Sequence, residues 1–358
     1  MFKAIDKWFW PWLTREVGTR QGPIRHIFVA ICDHFEPHPP MSTWESVVRW
    51  RDEYPPLVAP FRDAEGRSPR HTFFYPMEMY KERDLHLLLD LCGRSGSEIE
   101  VQLHHDGDTE ETLRAQLRTA IDRLVGHGCL AVDGDGRTRF GFVHGNWALA
   151  NCRPDGRWCG VPTELGLLRA LGCYADFTFP SAPSRTQPRS VNRIGYATEC
   201  GSPAALDRLT PAAAGRTGQW RRREDSLLLV EGPLAPDWSN RKWGMLPRIE
   251  NSDLTGVHPP SPARARRWVA QRIHVEGRPD HVFVKLHTHG ADTPNLDTML
   301  GEPIAAMHRF LTTTLVEETG AALHYVTARE MVNVIHALED ELTSPPSEWF
   351  DYWLKRRG

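Results

Sequence analysis

The run HIFVAIC at residues 26–32 is apolar at every position after the first, and polar residues Asp33, His34 and Glu36 follow at once. A stretch so short and so apolar suits a strand covered on both faces, the situation in a parallel sheet whose crossovers are helices. The same order recurs along the chain. Strand-like runs lie at 71–75, 98–103, 140–144, 174–179, 281–286 and 322–326. Helical patterns lie between them at 43–54, 79–92, 109–125, 164–171, 263–275, 292–318 and 328–342, the first fading before Pro55 and Pro56. This alternation predicts an α/β fold built on a parallel sheet or barrel. It lapses between about Pro180 and Pro262, where proline, arginine and glycine are frequent and two short strands are expected near 194–197 and 226–230. That stretch reads as an insertion laid over one end of the barrel.

The predicted strands end in polar clusters. In EIEVQLHHDGD, at 98–108, Ile99, Val101 and Leu103 alternate with Glu100 and Gln102 before His104, His105, Asp106 and Asp108. Asp33 and His34 end the first strand, His144, Asn146 and Trp147 follow another, and His287 and His289 close a late one. Loops at the carboxyl ends of parallel strands converge on one mouth, so these clusters form one candidate site. Imidazoles and carboxylates without cysteine suit zinc, iron, manganese, cobalt or nickel rather than calcium. Alternation puts His104 on the face of Glu100 and Gln102. A bulge at the strand end would select His105 instead.

Seven scattered cysteines with no C-x-x-C pair read as small buried hydrophobes in a reducing compartment. The net charge of -3 makes no case for nucleic acid. The N-terminus lacks the apolar core and cleavage site of a signal peptide, which predicts a cytoplasmic protein. Phe2, Trp8, Phe9, Trp10 and Trp12 beside Lys3, Lys7 and Arg15 suggest peripheral membrane contact through Trp8, Trp10 and Trp12, or an arm packed on the domain, with Pro11 limiting any helix.

The order of these motifs resembles the polysaccharide deacetylase (NodB-homology) family. The resemblance covers about residues 24–335 apart from the inserted stretch and implies a distorted (β/α) barrel, placed at 24–343 with the insertion near 181–262; composition marks an aromatic and basic arm at 1–23 and a similar tail at 344–358. ICDHFEP stands where the family has a TFDD-type motif, implying Asp33 as base and His34 in place of a metal-binding aspartate. LHHDGD stands for the family's H-x-x-x-H, implying His104 and Asp108 as further ligands, with His105 and Asp106 as alternatives. KLHTHG matches the late leucine-histidine pair, making His287 the general acid, with His289 an extra. FVHGNWALANC lies where the family carries R-P-P-Y-G; the arginine is missing, and His144, Asn146 and Trp147 are the substrate-binding candidates. Asp176 lies where a D-x-x-W-type motif is usual, without its tryptophan. Arg189, Asn192, Arg241 and Trp243 of the insertion are further sugar-holding candidates.

The implied activity is a metal-dependent hydrolase holding one divalent transition metal, zinc first. It would remove an acyl group, N-acetyl first, from a sugar or glycan intermediate of surface polysaccharide or glycolipid biosynthesis. The alternatives are a non-catalytic glycan-binding or scaffold protein of the same fold, and another metal-dependent hydrolase such as a deformylase or glycosidase.

Overall fold

The computed structural model describes residues 4–15 and 22–357; Phe2 and Lys3 of the aromatic arm lie outside the described residues. The first half of the chain contains α1 (Ile5–Thr14), β1 (His26–His34), α2 (Trp44–Val58), β2 (His71–Pro76), α3 (Glu82–Ser95), β3 (Glu98–Leu103), α4 (Glu110–Gly126), β4 (Ala131–Val132), β5 (Thr138–His144), α5 (Glu164–Ala170) and β6 (Cys173–Asp176). The middle carries β7 (Ile194–Thr198), β8 (Thr210–Pro211), β9 (Ser226–Val230) and the hairpin β10 (Ala235–Lys242) and β11 (Leu246–Glu250). Then come α6 (Pro262–Ala270), β12 (His281–Thr288), α7 (Thr293–Met299), α8 (Glu302–Phe310), α9 (Val316–Thr319), β13 (Ala322–Tyr325), α10 (Ala328–Glu339) and β14 (Lys355–Arg356).

The protein is α/β, with a mostly parallel central sheet. β1 lies between β12 on one side and, on the other, β13 along its first half and β2 along its second, all parallel. β3, β5 and β6 continue the parallel order from β2. The two strands expected inside the insertion both form, and they join this sheet rather than lying over its end. β9 pairs in parallel with β6, and β7 returns antiparallel to β9.

Strand alternation sorts the sheet into two faces. Ile27, Val29 and Ile31 of β1 point into one core with Val101, Phe142, Leu286 and the helix residues Trp50, Leu88, Leu117, Trp268 and Ile304. Phe28, Ala30 and Cys32 point the other way, joining Phe74, Val143, Tyr174, Phe177 and Phe283 against Met331, Val332 and Ile335 of α10. The tail adds Trp349, Phe350 and Leu354 to this second core.

Three helices depart from expectation for identifiable reasons. α2 runs through Pro55 and Pro56; Arg94 Nη1 donates at 3.0 Å to the Arg51 carbonyl that Pro55, lacking an N–H, leaves free. The single helix expected over 292–318 breaks at Gly301, whose backbone is extended, with Pro303 in the first turn of the next helix; a Cβ at 301 would collide with the Asp297 carbonyl, so glycine fits this junction. α1 continues past Pro11, held by Trp8 in a small cluster with Ala182, Val191 and Leu234 and by Trp12 Nε1 and Arg15 Nη2 on Gln271 Oε1. Trp8 is therefore buried and Trp12 half-buried, while Trp10 is 66% exposed. No described helix is long and apolar enough to cross a membrane.

The second face carries a buried carboxyl that gives the fold a pH dependence. Glu100 accepts from Tyr174 Oη at 2.7 Å and from the Gly141 amide at 2.6 Å, yet burial raises it from the ordinary 4.5 to about 8. A carboxyl raised in the folded state stabilises the fold fully below its unfolded value and loses that contribution as pH climbs through the folded one. The expected loss between about pH 5 and 8 is about 3 kcal/mol, at 1.36 kcal/mol per unit. Glu100→Gln keeps an acceptor for Gly141 and a donor for Tyr174, so urea unfolding across this range should show a flatter slope for the variant. Equal slopes would refute the assignment.

Candidate metal centre at the strand ends

Alternation at the end of β1 separates two neighbours. Asp33 turns to the helix side, and His34 turns to the face of Cys32 and Phe28. His34 is 1% exposed, with its ring centroid 4.9 Å from that of His289, 6.4 Å from His287 and 6.1 Å from Trp147. Phe35 is buried in the helix-side core, so Glu36 comes back to the side of His34. Its Oε1 accepts from Gln102 Nε2 at 2.6 Å and lies 3.3 Å from His104 Nε2 and 3.8 Å from His289 Nε2. The other nitrogen of His104 meets Glu78 Oε1 at 2.5 Å. The side chains of His104, Glu36, Glu78 and His289 are each about a quarter exposed, so the cluster opens to solvent through them, with His34 and His287 as its floor.

One ligand atom each from His34, Glu36 and His289 fall within 4.8 Å of one another. Nδ1 of His34 is buried and has no hydrogen-bond partner. Burial holds this imidazole well below its usual range, and His289, His287, Lys285 and His104 push it the same way, so it is neutral, with a free lone pair. Burial would raise Glu36, but His104 and His289 outweigh it and hold the group down as a carboxylate. On His104 burial pulls downward, yet the hydrogen bonds of Glu36 and Glu78 prevail and lift it to about 10. Burial, reinforced by Lys285, lowers His287 to about 3 against the pull of Asp253. A neutral imidazole with an orphaned nitrogen, a second imidazole and an ionised carboxylate form a donor set that fits a divalent transition ion.

Local backbone explains how these groups reach one place. A Cβ at Gly145 would enter the His104 ring, so glycine lets the loop after β5 pass the imidazole. Two residues on, Trp147 takes φ 56, a left-handed conformation costly for a large side chain, and its ring faces His34 and His289. Gly290 presses its backbone on the helix side of β1. Its amide donates to Asp33 Oδ1 at 2.7 Å and its carbonyl accepts from Trp50 Nε1 at 2.8 Å. Asp33 thereby fastens the loop that bears His289. It is fully buried, and burial raises its carboxyl well above the usual range against the opposing Gly290 amide.

The other sequence candidates lie elsewhere. His34, His104 and Asp108 do not form a mutually close set among the described residues. Asp108 instead accepts from Thr112 Oγ1 at 2.6 Å and Gln116 Nε2 at 2.9 Å at the start of α4, and Asp106 accepts from the Trp158 amide at 2.6 Å. His105 and His144 point to the helix side, ring centroids 4.5 Å apart. Asn146 leans toward them, Nδ2 donating to the His105 carbonyl at 3.4 Å. Asp176 is deep and fully paired with the Thr178 amide and hydroxyl, burial raising it to about 7. Asn192 is taken up by Leu234 and Gln271. Arg241 lies along Trp238, and Trp243 is 73% exposed on the β10–β11 hairpin. A groove of about 430 Å³ runs beneath that hairpin, lined by Pro183, Arg248, Asn251, Asp253 and His258. Asp253, one of its lining residues, bridges through its backbone to His287.

Glu36 and Glu78 are the residues that sequence reasoning passed over. Glu36 follows His34 at the two-residue spacing that returns a side chain to the same face, and Glu78 follows the end of β2, so both carried the same strand-end signal as the histidines. No protein-family model, curated protein or solved structure matches the chain.

Proposed function

We propose that the chain is a metal-dependent hydrolase that removes an N-acyl group, acetyl first among them, from a sugar, on a distorted (β/α) barrel of the polysaccharide deacetylase type. The observation that carries this reading is the meeting of His34, Glu36 and His289 at the carboxyl ends of parallel strands, together with a His34 Nδ1 that no protein group satisfies. Those three residues would hold the ion, with His104 beside them. A bound divalent ion supplies an acidified water and polarises the acyl oxygen.

The residues around it divide the remaining work. His287, neutral on the floor of the site, takes a proton as water attacks the amide carbon and returns it to the sugar nitrogen as the C–N bond breaks, leaving a carboxylic acid and an amine. His104, held protonated by Glu36 and Glu78, sets positive charge beside the developing oxyanion. Trp147 offers a face for the sugar ring, and the groove beneath the β10–β11 hairpin has room for further sugar units. Asp33, buried on the helix side, is a positioning residue for the loop of His289 in this scheme rather than the base.

Zinc-reconstituted protein should release acetate from oligomers of N-acetylglucosamine, and chelation should abolish the release. Asp33→Asn, which keeps an acceptor for the Gly290 amide, should retain activity within about tenfold, and His287→Gln should lose about 10²-fold or more. Collapse of the Asp33 variant beside an unaffected His287 variant would give the base role to Asp33. Metal-loaded protein that binds the oligomers and releases nothing would replace the hydrolase by a glycan-binding protein.

A further inference from the structure

A second cluster of metal-type donors lies on the helix side of the sheet, away from the mouth. His105 lies two residues past the end of β3, His144 ends β5, Cys159 lies in the loop 145–163 and Glu164 opens α5. All four are buried, and one ligand atom from each falls within 4.8 Å of the others. Glu164 Oε1 lies 3.2 Å from His105 Nε2, while Oε2 accepts from the Ala150 amide at 2.7 Å and from Cys159 Sγ at 3.4 Å. Behind His105, Nδ1 lies 3.4 Å from the Asp108 carboxylate without a formed hydrogen bond, near the position from which a carboxylate backs a ligating imidazole.

An ion pair of His105 with Glu164 accounts for two members and leaves the others over. Nε2 of His144 is fully buried and meets no hydrogen-bond partner, although an unpaired buried polar nitrogen is costly. The loop joining these donors is also strained. Trp147, Ala150, Asn151 and Trp158 adopt φ of 56, 51, 57 and 72, four left-handed non-glycine residues in one short segment. Such a segment persists only where its surroundings over-determine it.

We propose that His105, His144, Cys159 and Glu164 bind a second divalent transition ion, zinc by ligand type, as a closed structural site. Two neutral imidazoles, a thiolate and a carboxylate leave a divalent ion at net zero charge, which suits complete burial, and four protein donors leave no open position for catalysis. The thiolate selects against magnesium and calcium. Ligation through Nε2 moves the His144 proton to Nδ1, giving up the 3.2 Å contact from the Asn146 amide, one weak hydrogen bond against a metal–imidazole bond. The ion ties the loop to β3, β5 and α5, and that loop carries Trp147 over the mouth. The site is independent of the mouth cluster and of the chemistry proposed there.

The test uses the full chain, stripped and reloaded with cobalt. The parent should show a thiolate-to-cobalt charge-transfer band in the near ultraviolet. Cys159→Ser should lose that band and one equivalent of metal, and His34→Ala should keep the band. A parent with no such band, or a Cys159→Ser protein with unchanged metal content and spectrum, overturns the proposal. X-ray absorption at the zinc edge of the unmodified protein decides the matter even if the cysteine variant fails to fold. A sulfur shell at about 2.3 Å is expected, and its absence refutes the site.

Discussion

His34→Ala is expected to remove one equivalent of metal and to lower acyl release by about 10²- to 10³-fold, the scale on which loss of a preorganised electrostatic group falls. The substitution should leave the fold standing. Nδ1 of His34 makes no hydrogen bond within the protein, and burial keeps the ring neutral, so it is not half of an ion pair. Deleting it therefore breaks no buried pair, at the cost of a small cavity at the open end of the sheet. Metal analysis of parent and variant, beside thermal unfolding of both in chelator, separates ligand loss from destabilisation. Unchanged metal content would show that the three-residue cluster is not a binding site. A large drop in the unfolding temperature without metal would show that His34 is structural.

The parts of this site that were legible in the sequence are those governed by strand ends and strand alternation. His34, His104, His287, His289 and Trp147 converge because each ends or follows a strand of the same parallel sheet, and apolar runs such as 26–32 mark those strands plainly. Alternation also placed His104 on the face of Glu100 and Gln102 and His105 on the other, as the structure has it. The same rule, applied one residue earlier, sends Asp33 to the helix side and returns Glu36 to the mouth. Motif matching outweighed it there, because a pair of adjacent acidic or imidazole residues in a family motif does not say which face each one takes. Asp108 illustrates a different limit. Its spacing from His104 fits a ligand pair, but the turn at Gly107 swings it to the start of α4, where Thr112 and Gln116 hold it. The cluster of His105, His144, Cys159 and Glu164 draws on four segments brought together only by tertiary packing, so no local pattern announced it. The partition of the insertion was hidden for a related reason. β7 and β9 are short and flanked by turn residues like any surface hairpin, and their place in the sheet, β9 beside β6 and β7 beyond it, depends on long-range pairing.

The largest stability effect should come from Arg329, which ties the start of β3, the first turn of α10 and the tail into one buried node. Its guanidinium donates to Glu98 through Nε at 3.0 Å and Nη2 at 2.8 Å, and through Nη1 to the carbonyls of Phe350 and Leu354 and to Asp351. Both partners are nearly closed to water, Arg329 at 4% exposed and Glu98 at 8%. Thr327 Oγ1 donates to the same Glu98 carboxylate at 2.9 Å, while Asn333 Nδ2 holds the same two tail carbonyls. Truncating the arginine leaves a buried carboxylate without its counter-charge, and breaking a pair of this kind costs about 3–5 kcal/mol. Arg329→Met should therefore fall by that amount in urea unfolding and should free the tail at 349–354 to amide exchange. Adding Glu98→Gln to Arg329→Met removes the stranded charge and keeps an acceptor for Thr327, so the double variant should recover part of the loss. A double variant as unstable as the sum of its two single substitutions would mean that the node acts through packing of the arginine stem rather than through the charge pair.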